Sequence, residues 1–180
     1  MLIDRNRSQM LLIDVQERLA PMMAEIDNTT GRCEILLRGA RDLGVPIVIS
    51  EQYPKGLGRT LPKLADLAQA NERLEKVEFS CFANPELQKR LIETDRDQTI
   101  IAGIEAHVCV LQTVLEMAAD GRKVFVVADA VTSRKTESKT IALRRMAMAG
   151  AEIVTSEMVL FEWLRSACAP EFRSLSRLIR

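Results

Sequence analysis

Short apolar runs alternate with amphipathic stretches along almost the whole chain. The runs are Met10–Ile13, Pro46–Ile49, Thr99–Ala102 and Val124–Val127, with a shorter one at Ile153–Val154. None shows the polar alternation of a half-solvated strand, so they predict strands buried on both faces, as in a parallel sheet covered by helices. Between them, Cys33, Leu36, Leu37, Ala40 and Leu43 fall at helical spacing, and Gly44 supplies a stop. Val110, Leu111, Val114, Leu115 and Ala118 repeat the pattern up to Gly121, and Ile141, Ala142, Met146 and Ala149 repeat it up to Gly150. Regular strand–helix alternation predicts the α/β class: right-handed crossovers building a three-layer α/β/α sandwich. The stretch from Ser50 to Pro62, with Pro54, Gly56 and Gly58 inside it, breaks the rhythm. It follows a strand, so it is expected above the sheet's C-terminal edge, where open α/β folds bind ligands.

Composition narrows the function more than the fold. At 180 residues the chain suits one sizeable core, and residues 1–180 are expected to form a single domain without repeats or linkers. The 25 basic and 25 acidic residues are interspersed and cancel. That argues against a phosphate-backbone binder, and no nucleic-acid partner is expected. No apolar run is long enough to span a bilayer, and the charged N-terminal segment does not resemble a signal peptide, so no membrane partner is expected either. The mildly basic Arg173–Arg180 segment reads as a solvated helix face. Cys33, Cys81, Cys109 and Cys168 form no C-x-x-C pair, and the chain has one histidine, so no metal site is expected. Free thiols of this kind suit a reducing cytoplasm.

Three polar residues stand where such a fold places its chemistry. Asp14 ends the first apolar run, where a side chain leaves the core at the strand's C-terminal tip. Taken alone it equally suits a helix cap or a structural acceptor. Phosphoryl chemistry is disfavoured because Gln16 stands where a second aspartate would be needed. Cys109 follows the Thr99–Ala102 run and opens the next helix, where unpaired amides and the helix dipole favour a thiolate and can stabilise an oxyanion. Lys76 has no spacing signal that separates it from a solvated surface lysine. Cys33 lies on an apolar stripe and reads as core, and Cys81 reads as packed between Phe79 and Phe82. His107 lies two residues before Cys109 in the same turn and is expected at the pocket wall or in a structural role, not as the base. A dinucleotide site is the least favoured reading, because Asp-Val-Gln-Glu-Arg follows the first strand in place of a glycine-rich turn.

The ordered pieces Leu11-Leu-Ile-Asp14-Val-Gln, Ser50-Glu-Gln-Tyr-Pro-Lys-Gly-Leu-Gly58, Lys76-Val-Glu-Phe-Ser, Gly103-Ile-Glu-Ala-His-Val-Cys109-Val and Val127-Ala-Asp-Ala-Val-Thr-Ser133 resemble the isochorismatase-like cysteine hydrolase superfamily. The resemblance runs from Met10 to about Leu164 and looks closest to the small isochorismatase-domain proteins. It implies an open, mainly parallel sheet of about six strands and a triad of Asp14, Lys76 and Cys109. In that scheme Asp14 takes the proton from Cys109, and Lys76 holds Asp14 ionised. The backbone N–H groups of Glu105 and Cys109 form the oxyanion hole, and a cis peptide between Ile104 and Glu105 is implied with them. No cofactor is implied. Metal-binding relatives carry an aspartate and several histidines after the second strand, where this chain has Ser50-Glu-Gln-Tyr-Pro. Relatives that cleave vinyl ethers lack the cysteine, so Cys109 directs the expectation to a C–N bond of a small amide, ureido or carbamoyl compound.

Gln16, Gln52, Tyr53 and His107 are candidates for the pocket wall, each equally able to stabilise a loop. Asp129 is expected to bond as a turn residue to the Thr132–Ser133 region. Self-association as a dimer or tetramer is expected by family analogy, with Phe161, Trp163, Leu164 and Phe172 offering an apolar surface. The competing readings are a thiol redox protein, which lacks a well-spaced resolving cysteine, and a non-catalytic scaffold or interaction domain.

Overall fold

In the computed structural model, which describes residues 1–179, the chain folds around one sheet. In chain order the elements are β1 (Ser8–Ile13), α1 (Ile26–Asp42), β2 (Ile47–Gln52), α2 (Pro54–Leu57), α3 (Pro62–Ala65), β3 (Arg73–Lys76), α4 (Pro85–Glu93) and β4 (Gln98–Ile104). A π-helical turn at Ala106–Val110 then leads into α5 (Leu111–Ala119), β5 (Lys123–Thr132), α6 (Thr136–Met148), β6 (Glu152–Val154), α7 (Ser156–Leu164) and α8 (Phe172–Leu178). The six strands lie in the order β3-β2-β1-β4-β5-β6, every neighbouring pair parallel. This is the expected α/β/α sandwich.

The apolar runs became strands because both of their faces are covered. On β1, Met10 and Leu12 point to one side and Leu11 and Ile13 to the other, all fully buried. The first pair joins a core with Leu36, Leu37 and Ala40 of α1 and with Val159, Leu160 and Trp163 of α7. The second pair joins a core with Leu87 and Leu91 of α4, Val114 and Met117 of α5, and Met146 of α6. Helix α1 approaches α7 closely at Gly39, where an added Cβ would stand 2.3 Å from Leu160 Cδ2. Trp163 is buried and its Nε1 donates to Ser8 Oγ at 3.1 Å. Trp163 and Leu164 therefore belong to the interior and do not contribute to an apolar surface, while Phe161 and Phe172 pack on each other outside it. The basic segment expected as a helix face is α8 with its flanks; its Leu175 is buried, and Arg180 lies outside the described residues.

The sheet order reverses between β1 and β4, which leave a central strand pair whose following segments diverge to opposite sides. Such a switch point opens a crevice at the C-terminal edge. Three features sharpen it. Asp14, the first residue past β1, has φ +53, a left-handed conformation that aspartate tolerates better than most residues. Gly103, opposite Ile13 on β4, has φ +120, and a Cβ there would stand 2.1 Å from the Ile13 carbonyl oxygen. On β5 the pairing with β4 jumps from Ile101–Val126 to Gly103–Val131, so β5 carries a bulge beside the switch point. Asp129 sits in that bulge. It accepts from the Ser156 N–H at 2.8 Å and from Ser156 Oγ at 2.6 Å, at the start of α7. It thus ties β5 to α7 and does not bond the Thr132–Ser133 turn.

Gly103→Ala is expected to destabilise the fold by about 3 kcal/mol or more, because the methyl meets rigid backbone at a positive φ. Urea unfolding followed by circular dichroism measures it; a loss below 1 kcal/mol, on the order of an ordinary surface change, would show that β1 and β4 separate easily.

Candidate active site

Each strand end supplies one part of the site. Asp14 is placed by the end of β1, Lys76 by the last residue of β3, two strands away, and Cys109 by the π-helical turn after β4. Lys76 Nζ donates to Asp14 Oδ2 at 2.7 Å, and neither side chain reaches solvent. The remaining polar capacity of the pair is filled. Ser50 Oγ donates to Asp14 Oδ1 at 2.7 Å. Lys76 Nζ donates to Gln52 Oε1 at 2.6 Å and to the carbonyls of Glu78 and Phe79 at 3.2 and 3.1 Å. Burial pulls the Lys76 pKa down, but the Asp14 charge, the thiols of Cys81 and Cys109 and the Asp14 hydrogen bond outweigh it, and the net direction is up. Lys76 is a fixed cation inside the protein.

Cys109 is almost fully buried and lies inside the π-helical turn, one helical segment earlier than the expected helix opening. Burial pushes its thiol pKa up, the Asp14 charge and hydrogen bond push it further, and Lys76 only partly opposes them. The resting group is therefore a neutral thiol. Desolvation and the neighbouring carboxylate thus oppose the thiolate that a helix start is expected to favour. A buried thiol beside a carboxylate can still become a nucleophile if the carboxylate takes its proton as it attacks.

Among the described residues, the turn before Cys109 leaves a backbone donor free. The Ile104–Glu105 peptide is cis, as the resemblance implied. The Glu105 carbonyl is occupied by the N–H groups of Val108 and Val110 at 3.0 and 3.2 Å, while the Glu105 N–H has no backbone acceptor among the described residues. The backbone of Cys109 is held from behind: Thr113 Oγ1 donates to its carbonyl at 2.7 Å and accepts from the Cys81 N–H at 2.9 Å. Cys81 is thus a buried neighbour of the site. Its thiol, raised to about 11 by burial and by Asp14, packs with Phe82, while Phe79 is exposed.

The pocket-wall candidates divide. Gln16 is fully buried and its amide is spent on backbone: Nε2 donates to the carbonyls of Gln52 and Gly58 at 3.0 and 2.7 Å, and Oε1 accepts from the Gln52 N–H at 2.8 Å. It fastens the Ser50–Pro62 stretch to β1, the loop-stabilising role. Gln52 touches the site directly through Lys76 and anchors its other end on the Val77 carbonyl at 2.8 Å. Tyr53 is 54% exposed and, with Lys55, Glu75, Lys76, Val77 and Asn84, lines a cavity of about 320 Å³ that shares Lys76 with the triad but is not lined by Cys109. His107 is half-buried, its Nδ1 2.9 Å from Ser133 Oγ, and makes no hydrogen bond to Asp14, Lys76 or Cys109. Ser50 was missed by sequence reasoning, and an isolated serine inside an apolar strand carries no signal that would have marked it.

The chain and its fold are similar to known proteins. The Isochorismatase domain family model matches residues 8–158. Isochorismatase domain-containing protein 1 of Danio rerio is 39% identical over 168 residues, which cover 93% of this chain and 59% of that protein's length. Among solved structures, the MAR1 ribonuclease of Caenorhabditis elegans superposes with a TM-score of 0.93 at 34% identity, covering 99% of this chain and 92% of the other. The YcaC gene product of Escherichia coli, an octameric hydrolase of unknown specificity, superposes with a TM-score of 0.94 at 26% identity, covering 99% and 89%.

The buried pair and the buried thiols each lead to a measurable expectation. Lys76→Met strands the Asp14 charge and is expected to cost about 3–5 kcal/mol of stability, whereas Asp14→Asn combined with Lys76→Met regains most of it. A double variant as unstable as the single one in chemical denaturation would mean that Lys76 acts through packing and not through charge. Secondly, Cys33 and Cys81 have folded pKa values raised from 9.0 to about 12 and about 11. The folded state holds protons that the unfolded chain releases, so their contribution is complete below pH 9 and is lost as pH rises toward 12. Stability measured across this window should fall less steeply in Cys33→Ala, by up to about 1.4 kcal/mol per pH unit. An unchanged slope would remove that thiol from the account.

Proposed function

The chain belongs to the isochorismatase-like hydrolase superfamily, and from that premise we propose that it is a cysteine-dependent hydrolase cleaving a C–N bond of a small amide, ureido or carbamoyl compound. The observation that carries the reading is the solvent-free Lys76–Asp14 pair at 2.7 Å beside the buried thiol of Cys109. A buried ion pair is poor at stabilising a fold compared with apolar side chains of similar volume. Its place at the switch point suits chemistry instead.

The roles follow from residue type and position. As Cys109 Sγ attacks the carbonyl carbon, its proton passes to Asp14, so no free thiolate has to exist in the resting site. The carbonyl oxygen becomes an oxyanion facing the N–H groups of Glu105 and Cys109. Collapse of the tetrahedral adduct breaks the C–N bond, and the proton held by Asp14 goes to the departing nitrogen, leaving a thioester on Cys109. A water then gives a proton to Asp14 and attacks the thioester; that proton returns to Sγ as the carboxylic acid leaves. Lys76 stays protonated throughout and balances the carboxylate. An amine leaving group needs a proton at the moment of departure, and a carboxylate that has just received one from the thiol supplies it. That coupling is why a C–N bond is favoured. Self-association is part of the proposal, supported by the octameric Escherichia coli neighbour. A second reading, cleavage of RNA, is favoured by the Caenorhabditis elegans MAR1 ribonuclease at 34% identity.

The test is release of ammonia or amine from a panel of small amides, ureides and carbamoyl compounds, with a single-stranded RNA arm alongside. Cys109→Ala is expected to lose roughly 1000-fold or more of the rate on the responsive compound. Mass spectrometry should trap an acyl group on Cys109 of the native chain. Full turnover by Cys109→Ala would end the nucleophile assignment. RNA cleavage with no small-molecule turnover would replace the amide reading.

A further inference from the structure

The turn that carries Cys109 also holds a buried oxygen with nothing to bind. Glu105 is 7% exposed. Its Oε1 accepts from the Arg134 guanidinium at 3.0 Å, while its Oε2 is buried and has no hydrogen-bond partner among the described residues. Arg134 reaches it from solvent, its own side chain 58% exposed, and forms a salt bridge with it. An acceptor removed from water and left unpaired destabilises the protein that carries it. Such an orphan calls for a donor from outside the chain.

Its position says which donor. Strands β4 and β5 end side by side, with Ile104 opposite Thr132, so Glu105 and the Ser133–Arg134 pair leave the sheet together at its C-terminal edge. Four residues further on is Cys109, and the intervening turn closes back on the Glu105 carbonyl through Val108 and Val110. The other polar groups here satisfy each other, His107 Nδ1 lying 2.9 Å from Ser133 Oγ. Glu105 therefore carries, four residues before Cys109, two groups of opposite kind that are unspent among the described residues: a backbone N–H that can donate and a side-chain oxygen that can accept. A carboxylate oxygen repels anions and cannot donate, which leaves N–H or O–H groups as its partners. Resting on the cysteine-hydrolase reading, we propose that Glu105 Oε2 is a specificity determinant that accepts a hydrogen bond from an N–H attached to the substrate's carbonyl. The site then takes primary and monosubstituted amides and ureides, and turns away esters and N,N-dialkyl amides.

The proposal is testable without knowing the natural substrate. The probes are 2-chloroacetamide, which has N–H donors on its carbonyl, and N,N-dimethyl-2-chloroacetamide, which has none. Rates of Cys109 alkylation are read by peptide mass spectrometry, with the exposed Cys168 of the same chain as internal reference for intrinsic reactivity. A charge-assisted hydrogen bond predicts a preference of roughly 10- to 100-fold for the primary amide at Cys109 relative to Cys168. In Glu105→Met, with its fold checked by circular dichroism, the preference should collapse toward parity. Glu105→Gln keeps an acceptor oxygen and should retain a reduced preference, which also serves if the methionine variant does not fold. Parity in the native chain overturns the proposal, as does a preference that survives in Glu105→Met, which would mark it as steric. Labelling of Cys168 with none at Cys109 would instead count against the nucleophile reading on which the proposal rests, and the proposal falls with it.

Discussion

A lysine and an aspartate held 2.7 Å apart with neither reaching solvent is a costly thing to place in a fold of this size. Two charges taken out of water must recover their lost hydration from each other and from every remaining lone pair and proton. Here that recovery recruits a whole neighbourhood. Ser50 turns its hydroxyl to Asp14, Gln52 turns its amide oxygen to Lys76, and the chain after β3 bends so that the carbonyls of Glu78 and Phe79 accept from the same ammonium. Gln16 then holds Gln52 in place through its backbone. The loops over the sheet's C-terminal edge are shaped by the need to satisfy one ion pair.

The same pair sets the chemistry open to Cys109. With an isolated cation nearby, the thiol would ionise readily and behave as a standing nucleophile. With a carboxylate as well, and with little solvent, its pKa rises instead. In the proposed reaction, a neutral thiol beside a carboxylate gives up its proton as the sulfur meets a carbonyl. The buried Cys81 shares part of this environment, yet its backbone is braced through Thr113 to the carbonyl of Cys109, so it belongs to the support of the turn.

How much of this could be read from the sequence depended on burial. Four strands announced themselves because two covered faces demand unbroken apolar runs, and β1 is buried along its whole length; β6 showed only as the short Ile153–Val154 run. Strand β3 did not: unlike the other edge strand it has no apolar pair, reading Arg-Leu-Glu-Lys with Glu75 exposed. That edge strand carries Lys76, so the weakest strand signal hid a principal residue of the site, and only the family resemblance picked it out. Helix α7 was misjudged for the opposite reason: an apolar segment near the end of the chain looks the same whether it covers a core or offers a surface. Contact with α1 at Gly39 decides it. Asp129 was misplaced because a bulge extends β5 past the point where its apolar run stops.

What no pattern in the sequence reveals is the way Gly103 couples the sheet to the site. Its missing side chain lets the Ile13 backbone lie against β4 at the last register position before both strands end. One residue later on β1, the chain turns through a positive φ and delivers the Asp14 carboxylate into the crevice. One residue later on β4 is Ile104, whose following cis peptide starts the turn that delivers Cys109. Asp14 and the turn that carries Cys109 are therefore launched from the ends of a shared strand pair. Loop residues support the site through the carbonyls of Glu78 and Phe79, which accept from Lys76. In the proposed reaction, substrate choice can then vary through the segments above the sheet while backbone packing beneath them positions Asp14 and the turn of Cys109.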